Sequence, residues 1–288
     1  MASHALAGVS PFIVAAVIAR TTLLPGTALV YGLGAVGLLL MLAVPRGRER
    51  LDAETRALLA PGRRGAFVMS LAGFLVAGIA FYVGLAGSPR VAEYVFLTRL
   101  DWVVQAPVAI LVLREPWTRA GLAGAGLALA GGLLLVWNGA VGTSGLTAAG
   151  VYVAASLAGY LGASRLARAG GLAASTTLTV WRHWVNTIGF VALALLLGPA
   201  TMPPLAMSTV ALGAVSALVL IGLFLCRFAA LTHLPLWVLS AQAPVQAVVA
   251  LVASRLTEGT PSATTLVAVA MIVGGEVVVA TSQRQRPR

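Results

Sequence analysis

Long apolar stretches alternate with short polar segments along the whole chain. Residues 66–87 contain no charged side chain, and residues 120–137 contain none either. A helix of about 20 apolar residues crosses the hydrocarbon core of a bilayer. The stretches are continuous, unlike the alternating segments of roughly ten residues that are typical of a membrane β-barrel. The pattern therefore predicts an all-α integral membrane protein with ten transmembrane helices.

Prolines lie at or near several breaks between these stretches, as expected of residues that interrupt helices. The polar breaks at residues 46–64, 114–118 and 166–172 are predicted to be loops. The predicted spans are residues 4–20, 25–45, 65–87, 91–113, 119–137, 145–165, 173–197, 207–231, 236–256 and 263–281.

The composition excludes a soluble protein. Hydrophobic residues make up 59% of the 288 residues and charged residues only 9%, and the mean hydropathy is +0.97. A soluble domain carries about 25% charged residues. A single cysteine, Cys226, rules out a disulfide within the chain and a cysteine metal site.

The basic residues predict how the helices are oriented. The net charge of +11 comes from 19 arginines and no lysine. If the N-terminus is cytoplasmic, thirteen arginines fall on the cytoplasmic side, which is the positive-inside pattern. We therefore expect both termini in the cytoplasm, and a basic charge that reflects topology and not a nucleic-acid partner. These thirteen are Arg46, Arg48, Arg50, Arg56, Arg63, Arg64, Arg114, Arg119, Arg165, Arg168, Arg284, Arg286 and Arg288.

The two halves of the chain share a spaced motif. Glu115 is followed 16 and 17 residues later by two glycines, and Glu258 is followed by two glycines at the same spacings. The offset of 143 residues predicts an N-terminal repeat at 1–143 and a C-terminal repeat at 144–288, each with five helices. Because five is odd, the second repeat would be inverted in the membrane around a central cavity, as in many transporters.

Two motifs carry a resemblance to a known family. They are REPWTRAGLAGAGLALAGG at 114–132 and LTEGTPSATTLVAVAMIVGG at 256–275. With ten helices in two halves, the chain resembles the EamA-type branch of the drug/metabolite transporter superfamily. Within that branch it looks most like the YddG-type exporters of aromatic and other bulky amino acids.

This resemblance implies a function and a location. The protein would be a secondary transporter, not an enzyme, that exports aromatic or bulky amino acids or related small metabolites by alternating access. It would be a multi-pass protein of the bacterial inner membrane, monomeric and without a cofactor. Its partners would be a small-molecule substrate and the lipid bilayer.

One polar stripe lies in the fourth predicted span. Tyr94, Thr98, Asp101 and Gln105 are spaced by four, three and four residues, which places them on one helical face. Apolar residues occupy the other faces, so the stripe should point into the bundle. It either forms part of a cavity wall or only hydrogen-bonds to neighbouring helices.

A second stripe lies in the seventh predicted span. Arg182 and Asn186 are one turn apart, and residues 181–184 read WRHW. A charge at this depth is costly, so it is either functional or paired. Arg182 would then bind a substrate carboxylate, or it would neutralise Asp101 or Glu276.

Mid-span aromatic and polar residues complete the predicted binding site, since an aromatic cavity with a few polar groups suits a bulky side chain. Asp101 and Glu276 are the candidate proton carriers. No catalytic residue and no metal-ligand spacing is recognised. The predicted cavity residues are Tyr82, Tyr94, Thr98, Arg99, Asp101, Trp102, Gln105, Tyr160, Trp181, Arg182, Asn186, Phe224, Gln242 and Gln246.

Two other functions remain open at this stage. One is an exporter of cationic drugs, although the first span carries no acidic residue. The other is a membrane-embedded enzyme for lipid substrates, although the acids are scattered and no nucleophile–base pair is apparent.

The fifth predicted span carries a ridge of small residues. Gly124, Ala128 and Gly132 follow one another at steps of four. Such ridges let two membrane helices approach closely. We therefore expect this face to pack against another helix.

Overall fold

A computed structural model gives the fold of the chain. Within the residues that it describes, every regular element is an α-helix and no strand occurs. The described residues are 2–42, 45–88, 91–98, 101, 104, 105, 108, 111, 112, 118–137, 142–197, 204–234, 236, 249, 250, 252, 253, 260 and 262–284.

Apart from α3 (Pro45–Leu58), the helices follow the apolar stretches of the sequence closely. Proline lies in the first turn of α4, where its missing N–H removes no helical hydrogen bond. The helices are α1 (Ala2–Arg20), α2 (Leu23–Leu42), α3 (Pro45–Leu58), α4 (Pro61–Ala86), α5 (Val91–Thr98), α6 (Arg119–Trp137), α7 (Thr143–Leu197), α8 (Met207–Leu231) and α9 (Ala263–Arg284).

Four helices in the described part of the chain are long and apolar enough to cross a membrane. Large apolar side chains also cover the outside of the bundle; Leu195, at the end of α7, is 80% exposed. An apolar surface of this extent is unfavourable in water. Helix length and surface together indicate a membrane protein. The four apolar segments are Leu23–Leu40, Pro61–Ala86, Thr143–Leu197 and Met207–Leu231.

The longest helix, α7, consists of two arms. Gly171 interrupts it with a φ of 64° and a ψ of −148°, a backbone conformation that only glycine adopts readily. The arms are residues 143–170 and 172–197. The break lies inside the loop predicted at 166–172, which confirms a break between these two predicted spans.

Contacts with α4 show that the two arms run in opposite directions. Going up α4 in residue number, the contacted residues of the first arm have falling numbers. The contacted residues of the second arm have rising numbers. The chain therefore reverses its direction at the kink. The contacting pairs are Ala66 with Gly162, Gly73 with Gly159, Phe67 with Trp181, and Gly78 with Phe190.

Two predicted spans match helices residue for residue. The spans predicted at 119–137 and 207–231 have the bounds of α6 and α8. The segment 46–64 differs from its prediction as a loop, because α3 occupies most of it. Its arginine, glutamate, alanine and leucine residues are strong helix formers, although they contain no long apolar run. The span predicted at 236–256 lies mostly outside the described residues.

The packing of α6 on α9 is close enough to exclude side chains. A Cβ at Gly275 of α9 would collide with Gly124 O and would lie 2.6 Å from Ala128 N on α6. A Cβ at Gly131 would lie 2.6 Å from Ala268 O. These contacts confirm that the small-residue ridge of α6 is a helix-packing face.

Candidate functional site

A cavity lies inside the bundle, where α1, α2, α4, both arms of α7, and α8 meet. Its volume is about 70 Å³, which is enough for a few water molecules. Aromatic rings, hydroxyl groups and two arginines line it. A polar cavity inside apolar helices is the expected place for a binding site.

Arg182 reaches the cavity from the second arm of α7. Only 6% of the residue is exposed, and its guanidinium carbon lies 3.3 Å from the centroid of the Phe224 ring and 5.3 Å from that of Phe74. Its Nε and Nη1 have no hydrogen-bond partner among the described residues. The interactions described for this cation are therefore contacts with aromatic rings, and no carboxylate partner is seen for those two nitrogen atoms.

Arg227 is the second cation at the cavity, and the sequence analysis did not identify it. It projects from α8 with only 3% of its surface exposed. Its Nη1 donates a hydrogen bond to the hydroxyl oxygen of Tyr160 on the first arm of α7. Tyr160 also lines the cavity, so this bond connects two helices at the site.

The remaining wall is largely aromatic. Tyr31 of α2 stacks on Phe190 with ring centroids 5.3 Å apart, and its hydroxyl oxygen lies 3.5 Å from that of Tyr82 on α4. Phe74 of α4 packs edge-on against Tyr160 at 5.0 Å. The rings of Tyr31, Tyr82, Phe74 and Tyr160 give the cavity apolar walls with hydroxyl groups at defined points.

Asp101 lies one layer behind the cavity wall and is fully buried. Its Oδ2 accepts hydrogen bonds from Gln105 Nε2 at 3.3 Å, Ser156 Oγ at 3.3 Å and Tyr152 Oη at 3.4 Å. Ser156 and Tyr152 themselves line the cavity. Asp101 therefore reaches the site through two hydroxyl groups and is not among the described residues that line it.

The stripe in the fourth predicted span faces the interior, as the sequence analysis predicted. Tyr94, Thr98, Asp101 and Gln105 are all buried, whereas Leu111 is largely exposed. This agreement confirms the orientation of the stripe, and not a role in binding.

Two members of that stripe have local hydrogen bonds. Tyr94 Oη donates to Ala80 O at 3.2 Å, and Thr98 Oγ1 donates to Val95 O at 2.8 Å. Neither residue lines the cavity. Both therefore satisfy their hydroxyl groups within the helix packing.

Asn186, in the second stripe, is buried beside the cavity wall. Its Oδ1 lies 3.7 Å from the position of a Cβ on Gly78, which lines the cavity. Neither amide atom has a hydrogen-bond partner within the described residues. Asn186 is thus close to the site without lining it.

Trp181 and Glu276 lie apart from the cavity lining. The Trp181 indole N–H donates to Thr55 Oγ1 of α3 at 2.9 Å, and with Trp184 this residue lines a separate groove between α2, α3 and α7. Glu276 is buried on α9, next to the contact with α6. Four other predicted residues, Arg99, Trp102, Gln242 and Gln246, lie outside the described residues.

The structure brings four predicted residues to the cavity and adds others. Of the candidate site residues, Tyr82, Tyr160, Arg182 and Phe224 line it. Arg227 could have been found as an arginine inside an apolar helix, one turn after Phe224. Tyr31 and Phe74 carry no such signal, because aromatic residues within apolar spans are common.

No group of three potential metal ligands is present among the described residues. The described lining residues offer hydroxyl groups, two guanidinium groups and aromatic rings. They include no arrangement of nucleophile and base.

Comparisons with known proteins show a shared fold and no family. No protein-family model matches the chain, and no curated protein matches it. Among solved structures, 12 chains are similar. In one of them, a crystal structure of a protein, the similarity covers 98% of each chain, with a TM-score of 0.66 and 19% sequence identity. At this level of identity the similarity shows a shared fold and no function.

Proposed function

We propose that this protein is a secondary transporter with ten transmembrane helices, of the EamA type. It exports aromatic or bulky amino acids, or related small metabolites, across a bacterial inner membrane by alternating access. Both termini lie in the cytoplasm. The observation that carries the proposal is the cavity lined by Arg182, Arg227 and aromatic side chains inside apolar helices.

Energetic cost supports a functional reading of the cavity. A charged side chain at the centre of a membrane costs about 2.5–3.5 kcal/mol on insertion scales. Arg182 lies near the middle of the second arm of α7 and carries this cost, and Arg227 is buried at the same site nearer the end of α8. A transport site inside the bundle would explain why two buried arginines face the same cavity.

The packing of the helices is compatible with two inverted repeats. A shift of five spans relates α1 and α2 to the two arms of α7, α4 to α8, and α6 to α9. The helix α4 packs on both arms of α7, and α8 packs on α1 and α2. These contacts are reciprocal under that shift, as a two-fold relation between the halves requires.

The last helices of the two proposed repeats also begin in the same way. Thr118 Oγ1 accepts the backbone N–H of Gly121 at 3.0 Å, and Ser262 Oγ accepts that of Thr265 at 3.1 Å. In each case a hydroxyl side chain accepts the backbone N–H three residues further along the chain and so caps the N-terminus of the helix. This similarity supports the proposal that both halves derive from one five-helix unit.

The size of the cavity supports a mechanism in which the surrounding helices move. Its volume of about 70 Å³ is far below the roughly 300–1,000 Å³ of small-molecule sites. An amino acid therefore binds only after the surrounding helices separate. Rocking of one repeat against the other would open the site to one side of the membrane at a time.

A transport assay tests the proposal. The purified protein is reconstituted into liposomes, and counterflow of labelled phenylalanine, leucine and 3-phenylpropionate is measured. We expect saturable flux of at least one of these compounds. The variant Arg182→Ala should reduce this flux by about tenfold or more, because a charge-assisted hydrogen bond to the substrate carboxylate is lost.

The control variant is Arg165→Ala, which removes an exposed arginine from the same helix. It should transport like the parent protein. The proposal would be rejected by a lack of flux for all three compounds. It would also be rejected if Arg182→Ala and Arg165→Ala both transported like the parent.

A further inference from the structure

The charge of the cavity lining is one-sided. Arg182 and Arg227 both line the cavity, and none of the described lining residues is an aspartate or a glutamate. The other polar groups of the described lining are hydroxyl groups, mainly of tyrosine. A ligand that enters this space meets two guanidinium groups and, among these residues, no carboxylate.

Arg182 has two hydrogen-bond donors that no described residue uses. Its Nε and Nη1 are buried and have no hydrogen-bond partner in the described part of the chain. The Phe224 ring lies against the guanidinium group and cannot accept these in-plane hydrogen bonds as a carboxylate would. Once the surrounding helices separate, each of these two N–H groups can donate a charge-assisted hydrogen bond to a ligand carboxylate.

Arg227 extends the positive region along α8. It lies one turn after Phe224, the ring that packs on Arg182. Its hydrogen bond to Tyr160 orients the guanidinium group at the cavity wall. Phe224 thus packs on Arg182, and Tyr160 is hydrogen-bonded to Arg227, at the same cavity.

Asp101 is not among the described residues that line the cavity. Its Oδ2 accepts hydrogen bonds from Tyr152, Ser156 and Gln105. Two of these donors, Tyr152 and Ser156, stand between the carboxylate and the cavity. A ligand ammonium group would meet their hydroxyl oxygens, which are weaker partners than a carboxylate.

From this arrangement we infer that the site prefers substrates with net negative charge. It takes aromatic or bulky carboxylates without a free ammonium group in preference to zwitterionic amino acids, and it rejects cations. The inference rests on the proposed transport function and names its substrate class. Aromatic walls bind the ring of such a compound, and the two arginines bind its carboxylate.

A series of three ligands with the same phenyl ring tests this preference. The compounds are 3-phenylpropionate, phenylalanine and phenethylamine, which carry net charges of about −1, 0 and +1 at neutral pH. Binding to the purified protein is measured by calorimetry. We expect 3-phenylpropionate to bind about tenfold more tightly than phenylalanine, and phenethylamine not to bind.

Variants assign the preference to the second arginine. Arg227→Gln should bring the affinity for 3-phenylpropionate close to that for phenylalanine, whereas Arg165→Gln, at an exposed position on α7, should retain the parent order. If Arg227→Gln does not fold, Arg227→Lys keeps the charge and should keep the order of the three ligands. The ligand series on the parent protein tests the inference without any variant.

Binding and counterflow of the same compounds separate the two proposals. Phenylalanine or phenethylamine binding as tightly as 3-phenylpropionate would overturn the charge preference and leave transport intact. Anion-selective binding without flux would reject transport and support the anion site. A lack of binding by all three compounds would overturn the inference.

Discussion

The guanidinium carbon of Arg182 lies 3.3 Å from the centroid of the Phe224 ring, although the two residues belong to different helices. A cation over an aromatic face gains about 0.5–2 kcal/mol, most where water is excluded. This is less than the cost of about 2.5–3.5 kcal/mol for placing an arginine in a membrane helix. The ring therefore reduces the cost of the buried charge without cancelling it, and a bound anion would supply more.

A double-mutant cycle measures this contact. Phe224→Leu and Arg182→Met are made singly and together, and the free energy of unfolding is measured in detergent. We expect a coupling of about 0.5–2 kcal/mol, because the leucine removes the aromatic face and the methionine removes the charge. Additive effects of the two changes would show that the cation and the ring do not interact.

The contact between α4 and the first arm of α7 depends on glycine. A Cβ at Gly73 would lie 2.6 Å from Gly159 N and 2.7 Å from Ala155 O. Gly73→Ala should therefore force the helices apart and lower the free energy of unfolding by about 1–3 kcal/mol. Both contacting atoms belong to the backbone, so a side-chain movement cannot relieve the clash.

Gly150→Ala, on the same arm of α7, is the matched control. A Cβ there meets nothing within 4 Å, and alanine is favoured over glycine in a helix by about 1 kcal/mol. This variant should be as stable as the parent or slightly more stable. Equal destabilisation by both variants would show that the close approach at Gly73 is not the cause, since a Cβ at Gly150 has no such contact.

The hydrogen bond from Trp181 to Thr55 connects α3 to the bundle. Thr55→Val keeps the shape of the side chain and removes the acceptor, which should cost about 0.5–1.5 kcal/mol. Amide hydrogen exchange across Pro45–Leu58 should become faster, since α3 opens more easily. Thr147→Val, at an exposed threonine that bonds only within its own helix, should leave exchange in α3 unchanged.

The pH dependence of flux, where present, should depend on Asp101 and not on Glu276. Asp101 connects to the cavity through Tyr152 and Ser156, whereas Glu276 lies on α9, away from the described cavity lining. Asp101→Asn is expected to flatten the pH profile of flux, and Glu276→Gln to retain it. An unchanged profile in the double variant would exclude proton coupling through these carboxylates.

Much of the fold could be predicted from local sequence. The bounds of α6 and α8, the break near Gly171 and the small-residue ridge of α6 were all predicted, because each depends on residues close together in the chain. The helix α3 was missed because hydropathy identifies apolar runs and not amphipathic helices. It lies on the bundle through a few residues, such as the buried Leu58.

The site was predicted only in part. Arg182 stood out because its charge lies deep in an apolar span. Trp181 shares the WRHW motif with Arg182 but lies in a different groove, because adjacent residues on a helix point about 100° apart. Arg227 was overlooked because it lies in the last turns of its span, where arginine is common.

The sequence by itself determined that the chain forms apolar helices of membrane length, which helical face of each polar stripe is buried, and where small residues allow close packing. These properties depend on side-chain chemistry and on the repeat of the helix. Only the tertiary structure decided that Arg182, Arg227 and Tyr160 surround one cavity while Trp181 and Glu276 lie elsewhere. Such meetings depend on the rotation and crossing of helices that are far apart in the chain, which local periodicity does not contain.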